Sequence, residues 1–255
     1  MQHAWEIPKT VRGLNMKEKF LGVDVSSYSY EELKQHILND IEKKKQSFIV
    51  AINPEKILQA QKDAGLLMLL NKATYQIPDG VGVLLASKLY GGDISRRVTG
   101  IDMVMTLCEQ AAALDKSVFL YGAKPGIADK AKDSLVEKFP GLKVAGVLDG
   151  YEKDQDYIID TINEAKPDIL FVALGSPKQE HWIVDNMDKL DVRIFQGVGG
   201  SFDVISGRVK RAPAFFRKLG MEWFYRLVTE PWRFKRQIKL PTFLYKVWKN
   251  RRRRR

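Results

Sequence analysis

The sequence is poor in the residues that announce disulfide, metal or membrane-spanning chemistry. It has one cysteine, Cys108, so no intramolecular disulfide can form. A lone thiol inside an apolar stretch, with no base nearby, reads as core. The three histidines, His3, His36 and His181, are scattered and match no zinc-ligand spacing. No apolar run is long enough to span a membrane, and the N-terminus lacks a basic segment followed by an apolar one. The expected setting is the cytosol, or a membrane surface reached from it. No strand pattern is followed by G-x-G-x-x-G, which argues against a simple dinucleotide-binding oxidoreductase.

What is present is apolar content and an uneven charge. At 255 residues and 45% hydrophobic, the chain can bury one large α/β core and carry an appendage. Residues 208–255 hold 17 Lys/Arg against Glu222 and Glu230, whereas residues 1–207 hold 25 basic and 29 acidic side chains. A mildly acidic body thus precedes a very basic tail. That asymmetry predicts a polyanionic partner for the tail, either nucleic acid or an anionic membrane surface.

Along the body, strand-like and helix-like runs alternate. Strands are expected at Phe20–Val25, Ser47–Ile52, Ser117–Tyr121, Leu142–Val147, Asp168–Leu174 and Val192–Gln196, with a short extended run from Tyr75 that ends in Pro78, Asp79 and Gly80. The runs between them have helical periodicity, including Tyr30–Lys45 and a segment from Pro54 through Leu70. Such alternation implies a mainly parallel sheet with helices on both faces. Successive strand ends then bring Asn53, Asp79, Gly122, Gly175 and Gly197 to one sheet edge, where this architecture holds its ligands.

Each of these positions also has a plainer reading. Asn53 and Asp79 sit at strand-to-helix corners, where such residues cap helices. Arg96 and Arg97 lie in a loop and are either solvated or paired with phosphate. Asp154-Gln-Asp156 reads as a helix start rather than a metal site. Ser176 and Pro177 suit a cap and a first helical position, but Lys178, Gln179 and Glu180 crowd more polar groups there than capping needs. Gly197-Val-Gly-Gly-Ser-Phe-Asp203 allows close backbone approach by a ligand, with Asp203 able to hold a ribose hydroxyl.

The tail interleaves aromatics with cations. Leu219, Trp223, Leu227 and Val228 share one helical face, Arg226, Arg233 and Arg236 recur at turn spacing, and Trp232 and Trp248 follow. Tryptophan with Lys/Arg is the composition of a helix lying in a membrane interface. The plainer alternative is a helical pair packed on the body, and both readings hold if the apolar face docks while the basic rim faces lipid.

Asn53-Pro-Glu55, Pro78-Asp-Gly-Val-Gly82, Arg97-Val-Thr-Gly-Ile-Asp102, Tyr121-Gly122 with Lys124-Pro-Gly126, Gly175-Ser-Pro-Lys-Gln-Glu180 and Gly197-Val-Gly-Gly-Ser-Phe-Asp203 together resemble the TagA/WecG/CpsF glycosyltransferases over about residues 20–240. The resemblance implies a Rossmann-like α/β catalytic domain, 1–207, and a basic aromatic membrane-associating appendage, 208–255. It implies transfer of N-acetylmannosamine from UDP-ManNAc to undecaprenyl-diphosphate-linked GlcNAc, as in the linkage unit of wall teichoic acid. By position, Asp79 matches the proposed base, and Asn53, Arg97 and Gln179 match active-site polar residues. Tyr121, Gly122, Tyr151, Gly175, Lys178, Val198, Gly199 and Asp203 fall on the UDP-sugar side. Arg226, Arg233 and Arg236 match residues proposed to engage the lipid diphosphate.

The expected enzyme is inverting, metal-independent and free of cofactors. It would be peripheral on the inner face of the cell membrane, and exposed apolar surface on the appendage would drive self-association off it. Asp79 would act as base, with Arg97 or the glycine-loop amides stabilising departing UDP. Many members have Thr where this chain has Ala51, which leaves UDP-ManNAcA or UDP-glucose open as donors. A nucleic-acid-binding module is the remote alternative, because it leaves the polar sheet edge unused; nucleic acid is not an expected partner.

Overall fold

The computed structural model describes residues 17–213, 215–216, 225, 227–228 and 239–253, with backbone alone for 252–253. The appendage residues Trp223, Arg226, Trp232, Arg233 and Arg236 lie outside the described residues.

The chain opens with an antiparallel hairpin, β1 (Lys17–Phe20) and β2 (Val23–Ser26), where a single strand was expected. The difference lies in Leu21 and Gly22, whose positive φ values of 50° and 88° make a tight hairpin turn. Helix α1 (Tyr30–Glu42) starts with a capping box between Ser29 and Glu32. It stops short of the expected Lys45 because Lys44 turns left-handed at φ 53°. After β3 (Ser47–Ile52) the expected single helix is two, α2 (Pro54–Ala60) and α3 (Ala64–Lys72). Asp63 divides them by capping the Leu66 amide at 2.9 Å.

Then follow β4 (Tyr75–Pro78), α4 (Val81–Tyr90), α5 (Gly100–Ala113), β5 (Ser117–Gly122), α6 (Ile127–Lys138), β6 (Lys143–Leu148), α7 (Gln155–Ala165), β7 (Ile169–Ala173), α8 (Lys178–Asn186), β8 (Ile194–Gly197), α9 (Ser201–Ile205) and a C-terminal helix, Lys239–Arg253. The main sheet has the order β4-β3-β8-β7-β5-β6 with every ladder parallel. This is the expected Rossmann-like α/β arrangement. All strand C-termini therefore leave by one edge.

Alternating side chains fill both faces of this sheet. Phe48, Val50, Ile52 and Phe195 join a core under α2, α3, α4 and α8, while Ile49, Ile77 and Ile194 join another under α1, α5 and α6. The C-terminal helix enters the first of these cores. It packs on α2 and α4, with Phe243 and Val247 fully buried. Gly82 lets these helices meet, since a Cβ there would stand 2.4 Å from Pro54 and 2.5 Å from Leu240. Lys239 Nζ pairs with Glu55 Oε1 at 2.7 Å, and Tyr90 Oη donates to the Val247 carbonyl at 3.2 Å.

Candidate active site

Asn53 and Asp79 stand side by side because β3 and β4 are paired up to Ile52 and Pro78, the residues just before them. The Asp79 amide donates back to the Ile52 carbonyl at 2.8 Å, which fixes the corner. Asn53 caps α2, its Oδ1 accepting from the Lys56 amide at 2.9 Å. Asp79 has a different place. The N-cap position of α4 belongs to Gly80, at φ 101°, so the carboxylate of Asp79 stands one residue outside the helix.

The next loop returns to the same corner. The Val98 amide donates to the Pro78 carbonyl at 2.9 Å, which brings Arg97 beside β4. Arg97 Nε lies 4.0 Å from Asp79 Oδ1, with both side chains partly exposed. Arg96, its neighbour, is exposed. Behind Arg97, Thr99 caps α5 and donates from its hydroxyl to Asp102 Oδ2 at 2.6 Å. Asp102 also pairs with Arg211, the residue that leads into the tail. Burial works against the charge on Asp102, but the Thr99 hydrogen bond and the Arg211 and Arg97 guanidinium groups hold its carboxyl below the usual range.

The other half of the edge is drier. Gln179 is buried in the first turn of α8, where Oε1 accepts from the Gly199 amide at 2.9 Å and Nε2 donates to Glu180 Oε1 at 3.1 Å. Glu180 is wholly buried and pairs with Lys56 at 2.7 Å. Burial opposes its charge, yet the Lys56 ammonium and the Lys56 and Gln179 hydrogen bonds keep its carboxyl below the ordinary range. Pro177 occupies the N-cap of α8 after a cis Ser176–Pro177 bond. The expected capping by Ser176 and first-turn place for Pro177 are therefore both corrected.

The glycine loop after β8 is largely committed to the protein itself. The Val198 amide donates to the Val172 carbonyl at 2.9 Å, and the Ser201 amide donates to Val198 at 3.1 Å. With Gly199 bonded to Gln179, few loop amides remain for a ligand. Asp203 pairs with Arg208 at 2.9 Å.

Farther along the edge, Gly122 has a packing reason: a Cβ there would come within 2.6 Å of the Ala173 backbone. Tyr121 is buried against Trp182, ring centroids 4.8 Å apart, and burial with the Glu152 and Asp149 charges pushes its hydroxyl up to about 12. Tyr151, Lys178 and Gly175 lie on the same edge, the first two exposed. Cys108 is core, as expected, with burial pushing its thiol up to about 12. Asp154 caps α7 through the Asp156 and Tyr157 amides, the expected helix start. Among the described residues, no three His, Cys, Asp or Glu side chains form a group that could hold a metal ion.

The structure thus gathers Asn53, Asp79 and Arg97 at the β3 and β4 ends, and Gln179 with Gly199 at β7 and β8. Lys56 and Arg211 were missed in the sequence. Lys56 carried a faint signal, an isolated cation in the first turn of a helix beside Ile57; Arg211 carried none apart from its basic surroundings.

Residues 18–255 match the model of the glycosyl transferase WecG/TagA/CpsF family. The chain belongs to this family. Among curated family relatives, the N-acetylglucosaminyldiphosphoundecaprenol N-acetyl-beta-D-mannosaminyltransferase of Bacillus spizizenii is 39% identical over 83% of this chain and 82% of its own length. The protein of the same name from Bacillus subtilis is 38% identical over 82% of each chain. That from Staphylococcus aureus is 32% identical over 94% of this chain and 96% of its own.

Proposed function

We propose that this protein transfers N-acetylmannosamine from UDP-ManNAc to GlcNAc carried on a polyprenyl diphosphate, by one inverting displacement without a metal. The observation that carries this reading is the carboxylate of Asp79, set outside the cap of α4 and 4.0 Å from Arg97 at the ligand edge of the sheet. The relatives' shared name supports the donor sugar and acceptor class.

Asp79 accepts the proton of the acceptor hydroxyl while that oxygen bonds to the anomeric carbon. The bond from that carbon to the UDP oxygen breaks, and UDP leaves with the electron pair. Arg97 is the better placed of the two expected stabilisers, because the Val198, Gly199 and Ser201 amides are already engaged. Inversion of an α-linked donor gives a β product, the configuration in the relatives' name. Asn53 orients the corner while capping α2, and the donor lies toward Gln179 and the glycine loop. The carboxylate of Asp154, in the one Asp-x-Asp segment weighed as a metal motif, is spent on a helix cap.

The membrane surface is the proposed partner of the tail. Among the described residues no helix is long and apolar enough to cross a membrane. The C-terminal helix buries Phe243 and Val247 and turns exposed Tyr245, Lys246, Trp248 and Lys249 outward, a composition suited to an anionic interface. Arg226, Arg233 and Arg236 remain proposed contacts to the lipid diphosphate. The division at 207/208 is likewise a proposal; Leu240, Phe243, Leu244 and Val247 share the body's core.

UDP release tests the reading, using UDP-ManNAc, UDP-ManNAcA and UDP-glucose with a lipid-linked GlcNAc acceptor, with and without chelator. Acceptor-dependent release from UDP-ManNAc, unchanged by chelator, is expected. Release from another donor alone would overturn the sugar assignment, and loss with chelator would overturn metal independence.

A further inference from the structure

Between the two halves of the site runs a buried polar chain whose composition exceeds what packing requires. Lys56, in the first turn of α2, reaches Glu180 on α8 at 2.7 Å; Glu180 accepts from Gln179, and Gln179 accepts from the Gly199 amide. Lys56, Gln179 and Glu180 are each more than nine-tenths buried. Three strand ends, those of β3, β7 and β8, are thereby joined. Glu180 Oε2 is buried without a hydrogen-bond partner among the described residues. Apolar side chains of similar volume would avoid that cost, and replacing a buried ion pair by them is often neutral or stabilising.

We propose that Lys56 and Glu180 are positioning residues for the donor side of the site, acting through Gln179 on the Gly197–Gly200 loop. The proposal rests on the glycosyltransferase reading for the word donor, and on the hydrogen-bond chain for its mechanism. A glutamine amide has nearly the same shape either way round, so its orientation is set by its partners. A carboxylate kept ionised by Lys56 only accepts, so the Gln179 NH2 group must face Glu180. Oε1 must then face the Gly199 N–H. The loop is moulded to that orientation: a Cβ on Gly197 would stand 2.6 Å from Gln179 Nε2, and Gly199 has φ +53°. The same lysine meets the acceptor side, since its own amide donates to Asn53 Oδ1 at 2.9 Å. One ion pair thus sets both which loop amides stay committed and where α2 begins relative to α8.

Two double variants test this, both free of an orphaned buried charge. Lys56→Met with Glu180→Leu removes the acceptor for Gln179; Lys56→Met with Glu180→Gln keeps one. The readouts are thermal midpoint, hydrogen exchange at the Gly199 amide, and KM for the UDP-sugar against kcat. The Leu variant is expected to exchange Gly199 about tenfold faster and to raise donor KM about tenfold, the worth of one net hydrogen bond. Its kcat stays within about twofold, as expected when uniform binding alone is lost. The Gln variant, whose amide can still accept from Gln179 but no longer excludes the reverse orientation, shifts less than the Leu variant in Gly199 exchange and donor KM. Identical behaviour of the two at equal thermal midpoint means a merely structural pair and overturns the proposal. Gln179→Met, which leaves the ion pair intact, provides the same exchange readout if the Leu variant does not fold; unchanged Gly199 exchange there also overturns it. If the wild-type protein binds no UDP-sugar, the functional reading fails and Gly199 exchange alone decides whether the relay exists.

Discussion

The two halves of the sheet edge use polar residues in opposite ways. At the β3 and β4 ends, Asp79 and Arg97 are partly exposed and face each other across 4.0 Å. At β7 and β8, Gln179 and Glu180 are buried and bonded chiefly to each other, to the loop and to Lys56, which reaches across from α2. An exposed carboxylate can meet an acceptor and exchange a proton; a buried one locked in an ion pair cannot do so cheaply. Under the proposed function this is a division of labour: chemistry on the open half, shape on the closed half.

Breaking the open half should have the largest effect. Asp79→Asn is expected to lower turnover by about 10²- to 10⁴-fold, the usual worth of a positioned base, measured as UDP released per enzyme with acceptor present. On the closed half, Lys56→Met alone leaves Glu180 buried and unpaired, so urea unfolding should show a loss of about 3–5 kcal/mol, mostly recovered when Glu180→Leu is added. Arg97→Met should cost about 10²- to 10³-fold in kcat, as removal of one leaving-group stabiliser does, with little change in unfolding midpoint. Val247→Ala probes the docked C-terminal helix and should destabilise the body by about 2 kcal/mol from lost burial. No change would mean that the helix contributes nothing to the core.

The smallest expected effect is on pH. The Glu180 and Asp102 carboxyls are held below their ordinary range. Their folded pKa values are depressed, so their stabilisation is present above the unfolded value of about 4 and is lost as pH falls through the folded value. Thermal midpoints should therefore fall less steeply below about pH 4 in the Lys56→Met, Glu180→Leu variant than in wild type. Equal slopes would assign that acid sensitivity to other carboxylates.

Most of the fold was legible because strand and helix periods alternate along the body, and because parallel pairing puts every strand end on one edge. What was missed was local turn chemistry: Leu21-Gly22, which makes one expected strand a hairpin, and Asp63, which splits one expected helix. The open half of the site was legible as an acid and an arginine near strand ends. Asn53 combines two readings, since it caps α2 and also sits at the site. The closed half was only partly legible. Gln179 and Glu180 stood out as an excess of polar groups, but their partner Lys56 lies 124 positions away from Glu180, and no local pattern joins them. Gly122 and Gly197 looked like openings for a ligand; their small size is instead demanded by Ala173 and Gln179.

The division of labour is tested most directly by measuring donor binding and single-turnover rate together in Asp79→Asn. A UDP-sugar dissociation constant near wild type is expected, with transfer lowered by at least about 10²-fold. Near-normal transfer, or lost donor binding in a folded protein, would contradict it.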